Sequence, residues 1–313
     1  MQTVRFVIVA VISAVCSIAS WAQLTEAEKS AVLIQRNYEV SANLTYKVAN
    51  SYDAKLDVYR PREATTPTPV VVMIHGGGWV FGTKESKVLD SLPFMAMGFA
   101  VVNVEYRLGK TFLAPAAVED CLCALHRVGR NAKKYNFDLS KVVVTGGSAG
   151  GHLALTTSMI PFSAGFENEC AYEDDETWAG SWKDAKPKVA AVINWFGITD
   201  VSDMLQGPNI RAYAVSWLGN PPNREDLAKR LSPLSYVRPG LPPILTIHGD
   251  ADTIVPYSHA VRLHEALTKA GVKNQLLTLP GGGHGDFTAE QMLKAFETIR
   301  AFLANAGITP AAK

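Results

Sequence analysis

Lys141-Val142-Val143-Val144-Thr145-Gly146-Gly147-Ser148-Ala149-Gly150-Gly151-His152-Leu153 reads as a short buried strand, a glycine-lined turn and the start of a helix. Val142–Val144 has no polar alternation, the mark of a strand covered on both faces. A serine at the sharp turn that follows has its hydroxyl lifted clear of the sheet. The flanking glycines are needed because Cβ atoms would meet neighbouring backbone in that turn. The helix behind it aims its first N–H groups at the same point, which favours negative charge developing beside Ser148. The pentapeptide Gly-x-Ser-x-Gly is common by itself; a strand before and a helix after give it meaning.

Runs of the same kind recur on either side, at 70–74, 100–104, 189–193, 243–247 and 275–279. Helical patterns fall between them at 84–97, 114–135, 149–160, 256–271 and 287–306. Such alternation predicts an α/β chain with a mostly parallel sheet and helices on both faces. Two β-rich stretches, 44–49 and 54–59, read as an opening hairpin and bring the expected sheet to eight strands. Residues 161–187 and 198–240 stand outside the alternation and are expected to form a small cap or rim. The first is acidic (Glu167, Glu169, Glu173, Asp174, Asp175, Glu176) and reads as a solvated surface loop, with Trp178 and Trp182 near its end.

The chain of 313 residues has a formal charge of +1 and 48% hydrophobic residues, which excludes a disordered or fibrous protein. It offers no electrostatic case for nucleic acid or an anionic membrane surface. At the N-terminus, Arg5 precedes an apolar run from Phe6 to Ala19, and Ser20-Trp21-Ala22 places small residues where a signal peptidase reads them. Residues 1–22 are therefore expected to be a signal peptide and 23–313 one catalytic domain, secreted or periplasmic, with no membrane association after cleavage. A monomer or homodimer is expected. Cys121, Cys123 and Cys170 would remain. The first two point to different sides of a helix and cannot pair with each other. Either could bridge to Cys170, but buried free thiols are the expectation, and the spacing fits no zinc motif.

Three further motifs surround Ser148. His75-Gly76-Gly77-Gly78-Trp79 follows the buried strand 70–74, and its glycines let backbone N–H groups turn inward. With Ala149, the amides of Gly77 and Gly78 form a candidate oxyanion hole. A phosphate-loop reading fails for want of a following Gly-Lys-[Ser/Thr], and there is no dinucleotide fingerprint. His248-Gly249-Asp250-Ala251-Asp252-Thr253-Ile254-Val255-Pro256 ends the strand 243–247, with two candidate acids. Asp252 is preferred over Asp250 because the loop must travel outward before a carboxylate can reach a histidine. Gly281-Gly282-Gly283-His284-Gly285 then supplies a histidine on a mobile-backbone loop as candidate general base. The chain order serine, acid, histidine is the one this strand–helix series requires. His152 is expected to pack beneath the turn. His75, His152, His248 and His284 each belong to a motif of their own, so neither a metal nor a cofactor is expected.

Together these residues resemble the α/β-hydrolase esterases of the hormone-sensitive-lipase-like and feruloyl-esterase-like (BD-FAE-like) branch, over roughly residues 52–306. Glu105-Tyr106-Arg107-Leu108, Pro115 and Glu119-Asp120 match as well. The resemblance implies an α/β-hydrolase fold, Ser148, Asp252 and His284 as the triad, and a serine carboxylesterase. It suggests carbohydrate or other small-molecule esters of short acyl or hydroxycinnamoyl acids. Trp79 and Trp195 are candidates to line the substrate site, with Phe112, Trp178 and Trp182 ranked below them. An arylformamidase or exopeptidase could use the same triad; a binding protein on this scaffold would normally have lost part of it.

Overall fold

The computed structural model describes residues 24–170 and 186–309. The expected signal segment 1–22 lies outside the described residues, as do Glu173–Glu176, Trp178 and Trp182. The described residues fall into two compact units that divide between Tyr38 and Glu39. In the first, Glu26–Asn37 form helix α1, opened by a capping box in which Thr25 and Glu28 satisfy each other's backbone N–H.

The second unit is built on eight strands: β1 (Tyr38–Ala49), β2 (Tyr52–Pro61), β3 (Thr68–Ile74), β4 (Ala100–Val104), β5 (Phe137–Gly147), β6 (Val189–Trp195), β7 (Ile244–Gly249) and β8 (Asn274–Leu279). Their order is β1-β2-β4-β3-β5-β6-β7-β8; β2 runs antiparallel to β4, and every pair from β4 to β8 is parallel. The hairpin turns at Asn50 and Ser51, both left-handed (φ 52° and 60°) as a two-residue hairpin loop demands. The crossover helices are α2 (Val88–Ala96), α3 (Ala116–Arg130), the single turn α4 (Ala132–Tyr135), α5 (Ala149–Met159), α6 (Ala212–Leu218), α7 (Arg224–Arg230), α8 (Ser258–Lys269) and α9 (Ala289–Asn305). This is the α/β-hydrolase arrangement.

Strand alternation sorts the two faces. Val70, Val72, Ile74, Val142 and Val144 join the main core cluster with α3 and α5. Met73 and Thr145 face the other way, toward Phe94 of α2 and Phe296 of α9, whose rings meet at 5.9 Å.

Two expectations are corrected here. Cys123 and Cys170 form a disulfide rather than remaining free thiols, and only Cys121 is a buried free thiol among the described residues. Cys123 leaves α3 on the side where the chain returns after α5, so the two Cα atoms lie 4.8 Å apart. Glu167, in the described part of the acidic stretch, is also not solvated as expected of that stretch, whereas Glu169 is exposed. Glu167 is 1% exposed, hydrogen-bonded to His126 and to Lys186 at 2.7 Å. From the surface, Glu169 closes an ion cluster over the buried Lys47 (2.7 Å) and Arg107 (3.2 Å), in which Arg107 grips Asp120 through Nε and Nη2. The Arg107 and Asp120 noted in the sequence are thus partners. Because the disulfide closes a loop across 47 positions, Cys123→Ser is expected to cost about 2–4 kcal/mol of unfolding free energy. Urea unfolding with and without reductant checks this; an unchanged midpoint would show that the bridge contributes nothing.

Candidate active site

Ser148 stands between β5 and α5 with φ 57° and ψ −122°, a conformation that L-residues adopt only under constraint. Its N–H donates to the Trp195 carbonyl at 2.9 Å, and its own carbonyl accepts from His152 N–H at 3.0 Å. Gly150 makes the turn possible: a Cβ there would lie 2.3 Å from the Ile74 carbonyl oxygen. The side chain is lifted toward the carboxyl edge of the sheet, where the loops after β3, β6, β7 and β8 converge.

There Ser148 Oγ–H donates to His284 Nε2 at 2.8 Å. His284 Nδ1–H donates to Asp252 Oδ2 at 2.7 Å. A carboxylate accepts only, so the proton of a neutral His284 sits on Nδ1 and Nε2 is left free to take the serine proton. Asp252 is fixed in turn: Oδ1 accepts from Ile254 N–H (2.8 Å) and Val255 N–H (2.9 Å), and Oδ2 also lies 3.2 Å from His248 Nε2. Burial alone would raise its pKa, but hydrogen bonds from His248 and His284 hold it far below the usual carboxylate range. Asp250 has a different task. Its Oδ1 accepts from Gly281 N–H at 2.7 Å and pins the start of the histidine loop.

Gly77 and Gly78 lie just after β3, with φ 111° and 57°. A Cβ on Gly77 would overlap the Phe81 carbonyl oxygen at 2.0 Å, so no other residue fits. Among the described residues neither glycine's N–H has a partner. Ala149 N–H opens α5, where the first amides have no partner within the helix.

The two tryptophans part company. Trp79 is fully buried, stacked on Trp217 at 4.1 Å, with Nε1–H donating to His152 Nδ1 at 3.1 Å. It supports the oxyanion loop from behind and does not line an open site, because its backbone (φ 62°) turns the ring into the core. Trp195 is half-buried and lines a cavity of about 350 Å³ with Phe94, Phe196 and Phe296. Phe196 sets its ring edge against His284 at 4.7 Å, and Tyr213 of α6 packs over Gly78. Neither was among the candidates; an aromatic ending a buried strand beside Trp195 was the available signal for Phe196. Phe112 packs instead against Tyr52 and the Arg107 guanidinium.

His152 is buried, and its Nε2–H donates to the Leu231 carbonyl at 2.7 Å. Desolvation pushes its pKa down from 6.5 to about 4. Between those values the unfolded chain binds a proton that the native chain does not, so this contribution is complete above pH 6.5 and falls as pH drops toward 4. From His152 alone, stability at pH 5 should lie roughly 2 kcal/mol below that at pH 7.5. Because burial lowers His75, His259 and His264 in the same window, urea unfolding of the parent and of His152→Gln at the two pH values isolates it, and an identical pH dependence in both would refute a neutral buried His152.

Comparisons with known proteins find esterases of the same fold. A family model described as BD-FAE matches residues 56–267, and one described as TAP-like protein matches residues 225–312. Esterase 2 of Thermogutta terrifontis, in a structure phosphoramylated by tabun, superposes with a TM-score of 0.71 at 26% identity, covering 88% of this chain and 97% of that one. The same enzyme is also seen with butyrate bound. A truncated carbohydrate esterase from gut microbiota gives a TM-score of 0.68 at 30% identity, covering 86% and 96%. Esterase LipC of Mycobacterium tuberculosis is 28% identical over 242 residues, or 74% of this chain. The chain spans 56% of LipC's length.

Proposed function

The chain belongs to the BD-FAE family, and from that premise we propose that it is a secreted serine carboxylic-ester hydrolase working through an acyl-enzyme on short acyl or hydroxycinnamoyl esters of carbohydrates. The observation that carries this reading is the unbroken relay from Ser148 Oγ through His284 to Asp252, with distances of 2.8 and 2.7 Å.

In the first step Ser148 Oγ attacks the ester carbonyl carbon while His284 Nε2 takes its proton. The carbonyl oxygen becomes an oxyanion within reach of the Gly77, Gly78 and Ala149 amides, each of which supplies about 2.7–4 kcal/mol in such sites. Asp252 stabilises the imidazolium without taking its proton. Collapse breaks the bond to the alcohol oxygen, which leaves with the proton from Nε2. A water then gives its proton to His284 and attacks the acyl-serine; collapse of this second intermediate frees the acid and returns the proton to Oγ.

Esterase neighbours support the ester class, and the gut carbohydrate esterase and the butyrate-bound esterase 2 support a small acyl group on a carbohydrate. The aromatic cavity beside Gly147 and Gly285 has room for an acyl group larger than acetyl. Export is supported by the apolar N-terminal run, and the Cys123–Cys170 bridge suits an oxidising compartment.

Ser148→Ala is expected to lower kcat on a short-chain nitrophenyl ester by about 10⁴–10⁶-fold and to abolish labelling by a fluorophosphonate. Retained labelling would remove Ser148 from the role. Asp252→Asn should lower kcat by about 10⁴-fold and Asp250→Asn far less, since only the former leaves His284 in the wrong tautomer; the reverse order would reassign the acid.

Substrate class is read from a panel of methyl ferulate, acetylated xylan, aliphatic nitrophenyl esters and N-formylkynurenine. We expect the highest kcat/KM on the first two. A preference for N-formylkynurenine would replace the esterase reading with an arylformamidase.

A further inference from the structure

Arg211 lies immediately before α6 in the rim segment and belongs to none of the motifs around Ser148. Its guanidinium reaches across to the loop that carries the acid. Nε–H donates to the Ile254 carbonyl at 3.0 Å and Nη2 to the Thr253 carbonyl at 2.8 Å, while Nη1 closes back on the Ile210 carbonyl at 3.0 Å. These carbonyls belong to the turn whose amides hold Asp252: Ile254 and Val255 N–H donate to Oδ1, which leaves Oδ2 for His284. The turn is therefore gripped from both sides, its N–H groups by the carboxylate and its C=O groups by the guanidinium. Nothing else described holds the Thr253 and Ile254 carbonyls, and Ile254 is itself 41% exposed.

The helix behind Arg211 is anchored at the opposite side of the site. A Cβ on Gly78 would lie 2.9 Å from Tyr213 Cβ and Cγ, so the tyrosine rests directly on the oxyanion loop. Trp217, one turn further on, stacks on Trp79 at 4.1 Å. Arg211 thus reaches the acid loop from an element already locked to the oxyanion loop, and it is only half-buried, so its removal opens no cavity.

We propose that Arg211 is a positioning residue of the catalytic centre: through the Thr253–Ile254 turn it fixes Asp252 against His284, and thereby the imidazole against Ser148. The proposal rests on Ser148, His284 and Asp252 being the triad. Its chemistry calls for a planar donor with two arms, which a lysine ammonium does not supply.

The test compares the full-length parent with Arg211→Ala and Arg211→Lys, reading kcat and KM on nitrophenyl acetate and the rate of fluorophosphonate labelling at Ser148. In Arg211→Ala, kcat should fall about 10–100-fold with KM within about threefold, because the reacting groups are misplaced while the binding surface is kept. Labelling should slow in proportion to kcat/KM, and Arg211→Lys should fall between parent and alanine. Guanidinium chloride, well below denaturing concentrations, should restore part of the activity of Arg211→Ala and none to the parent. An Arg211→Ala enzyme within twofold of the parent, a loss confined to KM, or a loss that guanidinium does not reverse would each overturn the proposal. If Arg211→Ala does not fold, Arg211→Lys decides by the same kcat criterion. Absence of labelling in the parent would instead overturn the triad reading, which separates the two failures.

Discussion

Ser148 is held at φ 57° and ψ −122°, and a backbone of this kind costs about 1–3 kcal/mol unless its surroundings over-determine it. They do so from three strands. The N–H of Ser148 is tied to Trp195 at the end of β6, and Gly146 and Gly150 bring the turn against the carbonyls that end β3. Any side chain at those two glycines would push β3 and β5 apart, and with them the oxyanion loop and the nucleophile. The parallel order of β3, β5, β6, β7 and β8 delivers five carboxyl-terminal loops to one edge. One serine, one histidine, one acid and a row of backbone amides can meet there although they are far apart in the chain.

Two of the places where charge is buried serve different ends. Arg107, Asp120, Lys47 and Glu169 form a cluster whose members satisfy one another, and it ties the segment after α5 to the body of the protein beside the Cys123–Cys170 bridge. Removing Asp120, which is fully buried, would leave Lys47 and Arg107 without their shared buried partner, the costly case. Asp252 is as deeply buried but has no lysine or arginine beside it; backbone amides and two imidazoles hold it ionised. A carboxylate kept charged by neutral donors can still polarise His284, whereas one neutralised by an arginine would have little left to offer an imidazolium.

What could be read in advance was local. Apolar runs without alternation announced β3 to β7, because a strand buried on both faces has no polar side to show; β8 carries a similar run although, at the sheet edge, it is only half-buried. The glycine motifs announced the loops, because close backbone approach leaves a compositional trace. Ser148, His284 and Asp252 were legible together through their order along the chain. The Cys123–Cys170 bridge was not: which thiol meets Cys170 depends on where the chain returns after α5, and no residue spacing encodes that. The same holds for Glu167, whose burial depends on His126 and Lys186, and for Arg211, whose partners are backbone carbonyls and leave no pattern. Trp79 and Trp195 looked alike in sequence. Backbone direction separated them, with a left-handed Trp79 turning into the core and Trp195 opening on the cavity.

The buried pair Trp79–His152 explains why the rim segment is part of the site and not an ornament on it. His152 uses both nitrogens at once: Nδ1 accepts from Trp79, which follows the oxyanion glycines, and Nε2–H donates to Leu231 just beyond α7. Only a neutral imidazole with its proton on Nε2 can do both, since a proton on Nδ1 would face the indole N–H donor head-on. Trp217 closes the arrangement by stacking on Trp79 and meeting the His152 ring edge-on at 5.6 Å. Residues 198–240 therefore hold the oxyanion loop through three contacts, Leu231, Trp217 and Tyr213. A segment bonded in this way cannot swing open without taking the oxyanion amides with it, so α6 and the loop of Gly77 and Gly78 form one unit.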